Sequence, residues 1–468
     1  MKAVFLRHWV FFLILIVAVS IRFYHLNSDM IFIGDQGRDL LEARRMLTDH
    51  YIPLLGIPSS LPRFRQGPLY IWISAITLWI GNGSIFAVSV MSTLFGISAI
   101  IAVYLLLLPI KKRAAQIASL LLALSPMAIL HSRMPFVVNP IPLLIVLYLW
   151  QLQRFFENKK WGAFGSGLLF ALLFNSELAT FPLVLLVAFV WWSKGHKIVD
   201  CRSWIIGIVL GLLPEIIYDF THKFSQLGLF IIWVGYRIVS AFIPHIREAT
   251  VAETSTSILT YYLKIFSERG TLEDMSFWIF ITVFSLTLCI LLWKRMNEVI
   301  RLSFVAFCLL FASFFIHSSP SEAYFPPLIT LAPIIIGFAL ANTVRAIRWA
   351  TLLVAIVLLG LSLQVILSNH FFLLQRGETD AASRRFGAAL SLQQQTVTSM
   401  LSLSNGQCIN VVSQEQEQTF PSYWDNVRFL LADRGYKPCR TIELEPAIAP
   451  WAEDKSFSTN GPYMFKAL

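Results

Sequence analysis

Apolar residues in this chain fall in long blocks, with neither the alternation of a half-buried strand nor the single stripe of a surface helix. The first block, Trp9 to Leu26, is followed by a polar stretch from Asn27 to Gly67. A shorter one, Pro68 to Ile80, stops at Gly81-Asn82-Gly83. At about four turns at best, it reads as an interfacial or re-entrant helix. Further blocks run over Ser84–Ile110, Ala114–Leu130 and Ile141–Phe155, near 162–175 and 180–192, and over Trp204–Phe220, Phe277–Trp293, Leu302–Ile316, Phe325–Thr343 and Trp349–Leu367. With the first block they predict about eleven membrane spans. The pattern predicts an all-α polytopic membrane protein over 1–368. In it, 27–83 forms a first external loop with juxtamembrane helices and 221–276 a long polar external loop.

The last hundred residues, 369–468, read differently. A helix-like stretch covers Asp425 to Asp433, and strand-like runs lie at Cys408–Ser413 and Cys439–Glu443. They predict a small external α/β domain, in which Cys408 and Cys439 either form a disulfide or remain free thiols. Cys201, Cys289 and Cys308 lie in or near apolar blocks, where cysteine acts as a small hydrophobe.

Charge sets the orientation. Lys111-Lys112-Arg113, then Arg154, Lys159 and Lys160, then Lys194, Lys197 and Arg202, then Lys294 and Arg295, then Arg345 and Arg348, recur after every second crossing. By the positive-inside rule these loops face the cytoplasm of a plasma-membrane protein, with the N-terminus inside and the C-terminal region outside. Ala18 and Ser20 would also suit a signal-peptide cleavage site, but the many later blocks favour an uncleaved first helix. Composition agrees: 56% of the residues are hydrophobic and 14% charged, far from a soluble domain. The net charge of +10 belongs to membrane orientation and not to a nucleic-acid partner, because it sits in short loops.

On the external side the polar residues form a short series. Asp35 stands in Gly34-Asp35-Gln36-Gly37-Arg38-Asp39, directly after the first span, either as a helix N-cap or as a catalytic carboxylate. Asp39 is one helical turn on, and Arg38 lies between them. Arg63-Phe64-Arg65-Gln66-Gly67-Pro68-Leu69-Tyr70 puts two arginines at the mouth of the short apolar block, as phosphate clamp or as interfacial anchors. His131-Ser132-Arg133 and Asn139 follow the third span, and Arg133 would also suit a phosphate. Glu177 and Glu215 interrupt apolar sequence near external ends, where an ionisable residue is a functional candidate. Asp219 and His222 lie at the edge of such a segment. His317, Glu322 and Tyr324 close the series in His317-Ser318-Ser319-Pro320-Ser321-Glu322-Ala323-Tyr324-Phe325-Pro326-Pro327. No histidine pair has metal-ligand spacing, and neither a phosphate-binding glycine loop nor a nucleophile elbow is present.

These motifs, in this order, resemble the glycosyltransferase C superfamily over roughly residues 1–345. They are an Asp after the first helix, Gly-Pro-Leu-Tyr, Ser-Pro followed by Arg, and a late Tyr-Phe-Pro-Pro. The similarity is to family 39-like members such as protein O-mannosyltransferases and lipid A aminoarabinose transferases. It implies a polyprenyl-phosphate sugar donor, a lipid, glycan or protein acceptor, and an inverting displacement with Asp35 as base. It gives the donor phosphate to Arg63 or Arg65, with Arg133 a further candidate by its charge; the candidate substrate contacts are Arg38, Asp39, Gln66, Tyr70, His131, Asn139, Glu177, Glu215, Glu322 and Tyr324. The chain departs from relatives in carrying Gln66-Gly67 where they often have Lys or His, and Asn139 where many have Asp. The second change leaves a divalent metal without a clear ligand set. A transporter or flippase, and a polysaccharide polymerase or ligase, are the alternatives.

Overall fold

A computed structural model describes residues 2–59, 61, 63–194, 198–243, 247–367, 390–403, 409–412, 424–435, 440–446, 458–460 and 463–467. The chain is a bundle of apolar helices. Among the described residues, five helices are long and apolar enough to cross a membrane: Ile85–Leu107, Ser225–Phe242, Leu272–Leu291, Glu298–His317 and Arg345–Val365. Two further pairs pass that test together but bend, Lys112–Leu124 with Pro126–Ser132 by 62° and Cys201–Gly211 with Leu213–Thr221 by 72°. The remaining expected spans correspond to Lys2–Phe23 and to shorter apolar helices at Ile141–Phe156, Gly162–Ser176, Leu178–Trp191 and Pro326–Ala341. The short block after Gly67 is the helix Leu69–Ile80, ended by Gly81.

One expectation changes. The region read as a long polar loop, 221–276, holds two helices, Ser225–Phe242 and Val251–Lys264. The first is itself long and apolar enough to cross. Arg237 interrupts its apolar run, and it packs little of its surface against the bundle. It starts where Phe224 takes a left-handed conformation and the Asp219 carboxylate accepts from the backbone N–H groups of Gln226 and Leu227, at 2.8 and 2.9 Å. Asp219 is therefore a helix cap by geometry.

Pro326–Ala341 is the axis of the bundle, with every residue buried. A helix apolar on all sides needs neighbours on all sides. It packs against Lys112–Leu124, Ile141–Phe156, Leu272–Leu291 and Glu298–His317. Gly337 lets it approach closely, since a Cβ there would stand 2.9 Å from the Ala118 backbone nitrogen. Gly162–Ser176 and the helix containing Trp204 cross more tightly still. A Cβ on Gly167 would lie 2.1 Å from the Trp204 carbonyl oxygen, and one on Gly207 would lie 2.2 Å from that of Phe164. Gly207 and Gly211 form the small-xxx-small spacing that brings helix backbones together in a bilayer.

The 62° break after Leu124 has a visible cause. Ser125 caps the following turn, accepting from the Ala128 N–H at 3.3 Å, and Pro126 starts it. The carbonyls left over are satisfied from another helix: Arg22, fully buried, donates to the Ala123 and Leu122 oxygens at 2.9 and 3.4 Å. Beyond the bundle, Leu390–Leu403 and Asp425–Asp433 are helical. A four-stranded sheet joins Ile409–Val412, Arg440–Pro446, Tyr463–Ala467 and Ser458–Asn460 in that spatial order, the first pair parallel and the others antiparallel. Cys408 and Cys439 lie outside the described residues.

Candidate active site

After the first span the chain turns through the short helix Leu26–Asp29 and passes Met30 to Phe32 in extended backbone. It then enters the helix Gly34–Thr48, called α1 below. The N-cap position is Ile33, whose backbone N–H donates to Gln36 Oε1 at 3.2 Å. Asp35 is therefore not the N-cap but a first-turn residue, where the helix dipole favours a negative charge.

Asp35, Arg38 and Asp39 form one unit. Arg38 Nη1 donates to Asp35 Oδ1 at 2.6 Å, while its Nη2 and Nε both donate to Asp39 Oδ1 at 2.8 and 3.0 Å. Exposure separates the two carboxylates: the Asp35 side chain is 29% exposed and that of Asp39 is 0%. Asp39 Oδ2 has no hydrogen bond among the described residues. Burial raises the Asp39 carboxyl to about 7 against the pull of Arg38, with Asp35 and Asp425 adding like charge. Burial raises Asp35 as well, opposed by Arg38. For Asp35 the shift has the direction that makes a carboxylate a better proton acceptor.

Arg63, Arg65 and Gln66 lie in a hairpin. Gly56 N donates to Gln66 O at 2.7 Å and Gln66 N to Ile57 O at 2.8 Å, and Arg63 takes φ +66° in the turn. Both arginine side chains are exposed. Arg65 Nε also donates to Gly56 O at 2.7 Å, so part of its guanidinium braces the hairpin. Gln66 is buried and donates to Glu177 Oε2 at 3.3 Å. Asn175 bridges the same hairpin exit to Glu215, accepting from Leu69 N at 3.2 Å and donating to Glu215 Oε1 at 2.6 Å. Burial raises the Glu177 carboxyl to about 7, against hydrogen bonds from Ala179, Gln66 and Leu178. Tyr70 is buried on the next helix, within electrostatic reach of Asp39.

The other candidates form separate groups. Arg133 is buried and donates to Ile21 O at 2.9 Å, with Asp29 within electrostatic reach, so it fastens the loop to the end of the first span. Asn139 donates to Met134 O at 2.5 Å and shapes the same loop. His131 Nε2 meets Glu322 Oε1 at 3.1 Å, and Lys264 Nζ pairs with Glu322 Oε2. Burial alone would raise the Glu322 carboxyl, but His131 and Lys264 hold it below the usual range. Lys264 was not singled out from sequence. Its signal was a lone charge within the otherwise uncharged run from Ser255 to Phe266. Tyr324 faces His317 at 3.4 Å, beside Arg237 and Glu248, whose ion pair is 2.9 Å long. Arg237 was likewise missed. Among the described residues no group of three or more His, Cys, Asp or Glu side chains could hold a metal ion.

Known proteins share this fold. The structure is similar to that of ArnT from Cupriavidus metallidurans bound to undecaprenyl phosphate, with TM-score 0.62, 12% identity and 98% of each chain covered. It is also similar to the same protein in the apo state, at TM-score 0.56 and 13% identity over 98% and 97% of the chains. The oligosaccharyltransferase of Archaeoglobus fulgidus tethered to an acceptor peptide follows, at TM-score 0.52 and 12% identity over 94% of this chain and 69% of that one. Residues 65–218, about a third of the chain, match the family model of dolichyl-phosphate-mannose-protein mannosyltransferases. No curated protein matches the chain. The chain therefore shares its fold with these structures along nearly its whole length, and about a third of it is similar in sequence to that family. The matched stretch holds the Arg65 hairpin strand, His131, Arg133, Glu177 and Glu215, and Asp35 lies before it.

Proposed function

We propose that the chain transfers a sugar from a polyprenyl-phosphate donor to an acceptor hydroxyl outside the cytoplasm, in one inverting displacement with Asp35 as general base. Asp35 takes the hydroxyl proton as the acceptor oxygen forms its bond to the anomeric carbon. The bond from that carbon to the phosphate oxygen breaks, and polyprenyl phosphate leaves with the electron pair. The observation that carries this reading is the asymmetric carboxylate pair on Arg38, one member open at a helix start and the other sealed. Exposed Arg63 and the outer part of Arg65 are suited to a lipid phosphate by charge and fork geometry. Arg133 supports the reading only by holding its loop.

The family match, and ArnT with its bound undecaprenyl phosphate, support a lipid-phosphate donor. The sugar is an open choice between hexose and pentose, and the acceptor one between lipid, glycan and protein. Asp35→Asn is expected to lower sugar transfer in purified membranes by about a hundredfold or more, the scale of a lost general base, with insertion and folding intact. Near-normal transfer by that variant would sink the proposal. Release of polyprenyl phosphate, followed over a panel of lipid-linked sugars, identifies the donor.

A further inference from the structure

The helix Asp425–Asp433, nearly four hundred residues after Asp35 in sequence, lies directly on α1. Its apolar face is buried, with Val427 at 0% and Phe429 at 1% exposure, and the Phe429 ring stands edge-on to Phe32 at 5.8 Å. Three hydrogen bonds tie it down around one carbonyl. Asn426 Nδ2 donates to Phe32 O at 3.1 Å and to Gln393 Oε1 at 2.8 Å, and Gln393 Nε2 donates to the same Phe32 O at 2.7 Å. The helix Leu390–Leu403 that carries Gln393 is itself held to the same extended segment, by Leu390 N donating to Met30 O at 3.1 Å. The contact is backbone-close at Gly37, where a Cβ would stand 2.1 Å from Asn426 N and 2.2 Å from the Asp425 carbonyl carbon.

That contact falls on the candidate site itself. Gly37 lies between Asp35 and Arg38, and Phe32 is three residues before Asp35. Asp425, held by Arg428 at 2.9 Å, is close enough to bear on Asp35, Arg38 and Asp39. A helix that only shielded the bundle would have no need of a glycine opposite it, nor of two buried side-chain amides on one loop carbonyl. The Phe32 carbonyl belongs to the extended segment that sets where α1 begins, and so where Asp35 stands.

We infer that the helix Asp425–Asp433 is a structural part of the Asp35 site, and that Asn426, acting through the Phe32 carbonyl, is a positioning residue for Asp35. This rests on the functional reading above. Gly37→Ala pushes the helix off α1, and Asn426→Ala removes the helix's own bonds to Phe32 O and Gln393 while leaving the helix its apolar face.

The test uses the purified full-length protein and two readouts: kinetics of sugar transfer, and hydrogen–deuterium exchange of 34–48. Both variants are expected to raise exchange in 34–48 and to lower kcat tenfold or more, with the donor KM within twofold. Arg434→Ala, which loses only an exposed hydrogen bond to Thr398, is the control and leaves both unchanged. Unaltered exchange and unaltered kcat in Gly37→Ala and Asn426→Ala would overturn the inference. So would a rise in donor KM with kcat kept, which would make the helix a donor contact. If the wild-type protein transfers no sugar from any donor tried, the functional reading fails by itself. The exchange readout then decides whether the helix is docked on α1.

Discussion

Asp39 sits one helical turn after Asp35, and the geometry that puts both carboxylates on Arg38 also hides one of them from water. Its carboxyl is raised from 3.8 to about 7 by burial, opposed by Arg38. The folded state therefore binds a proton that the unfolded state has released between about pH 4 and pH 7, so the Asp39 contribution to stability falls as pH rises through that window. Asp39→Asn should flatten the fall, read as the midpoint of thermal unfolding in detergent at pH 5 and pH 7. A slope unchanged by the substitution would show that Asp39 does not titrate there. Activity should move the other way. Ionised Asp39 holds Arg38 more strongly and weakens its grip on Asp35, so transfer by the wild type rises through about pH 7. Asp39→Asn should lose that limb of the kcat profile, with the pair titrating as a unit.

At the level of elements, two contacts decide more than hydropathy does. The crossing of Gly162–Ser176 with the helix carrying Gly207 leaves no room for a side chain at Gly167. Gly167→Val should part these helices and cost about 1–3 kcal/mol, the range for overpacking, seen as a lower unfolding midpoint with the Asp35 kinetics little changed. Gly67 is similar, with Asn175 amide atoms 2.0 Å from where its Cβ would be. The blocks themselves were readable because a bilayer demands apolar residues on every side of a spanning helix. Ser225–Phe242 was taken into a loop although it is apolar enough to cross a membrane despite Arg237, because its flanks, His222-Lys223 and Arg247-Glu248, are polar. The Asp35 neighbourhood was visible as a motif. The roles of Gln66, Asn139 and Arg133 were not, since a loop residue bonded to a distant carbonyl carries no local mark.

At the scale of the whole molecule, the basic turn after Ile110 gathers distant helix ends. Lys111 Nζ meets Asn342 Oδ1 at 2.7 Å and Lys112 Nζ meets the Arg7 carbonyl, which gathers the start of the first helix and the end of Pro326–Ala341 with the Lys111-Lys112-Arg113 turn. Away from that turn, Asp35 comes after the first helix, His131 lies in Pro126–Ser132 and Glu322 stands just before Pro326–Ala341. With the native cysteines replaced, single cysteines at Arg113 and Thr48 should be labelled by an impermeant maleimide from opposite faces of sealed vesicles. Labelling of both from one face would overturn the topology.

The sequence by itself determined that this is a polytopic membrane protein, where its basic loops lie, and that Asp35 heads a polar stretch after the first helix. Those features are local: twenty apolar residues in a row, or an acidic residue before a helix, need no partner to be recognised. Only the tertiary structure decided that Asp39 is sealed while Asp35 is open, that Glu322 is shared by His131 and Lys264, and that a helix from the far end of the chain rests on Gly37. Each of these depends on which distant backbone comes within hydrogen-bond reach, and burial, which sets the charge chemistry, exists only once the helices have packed.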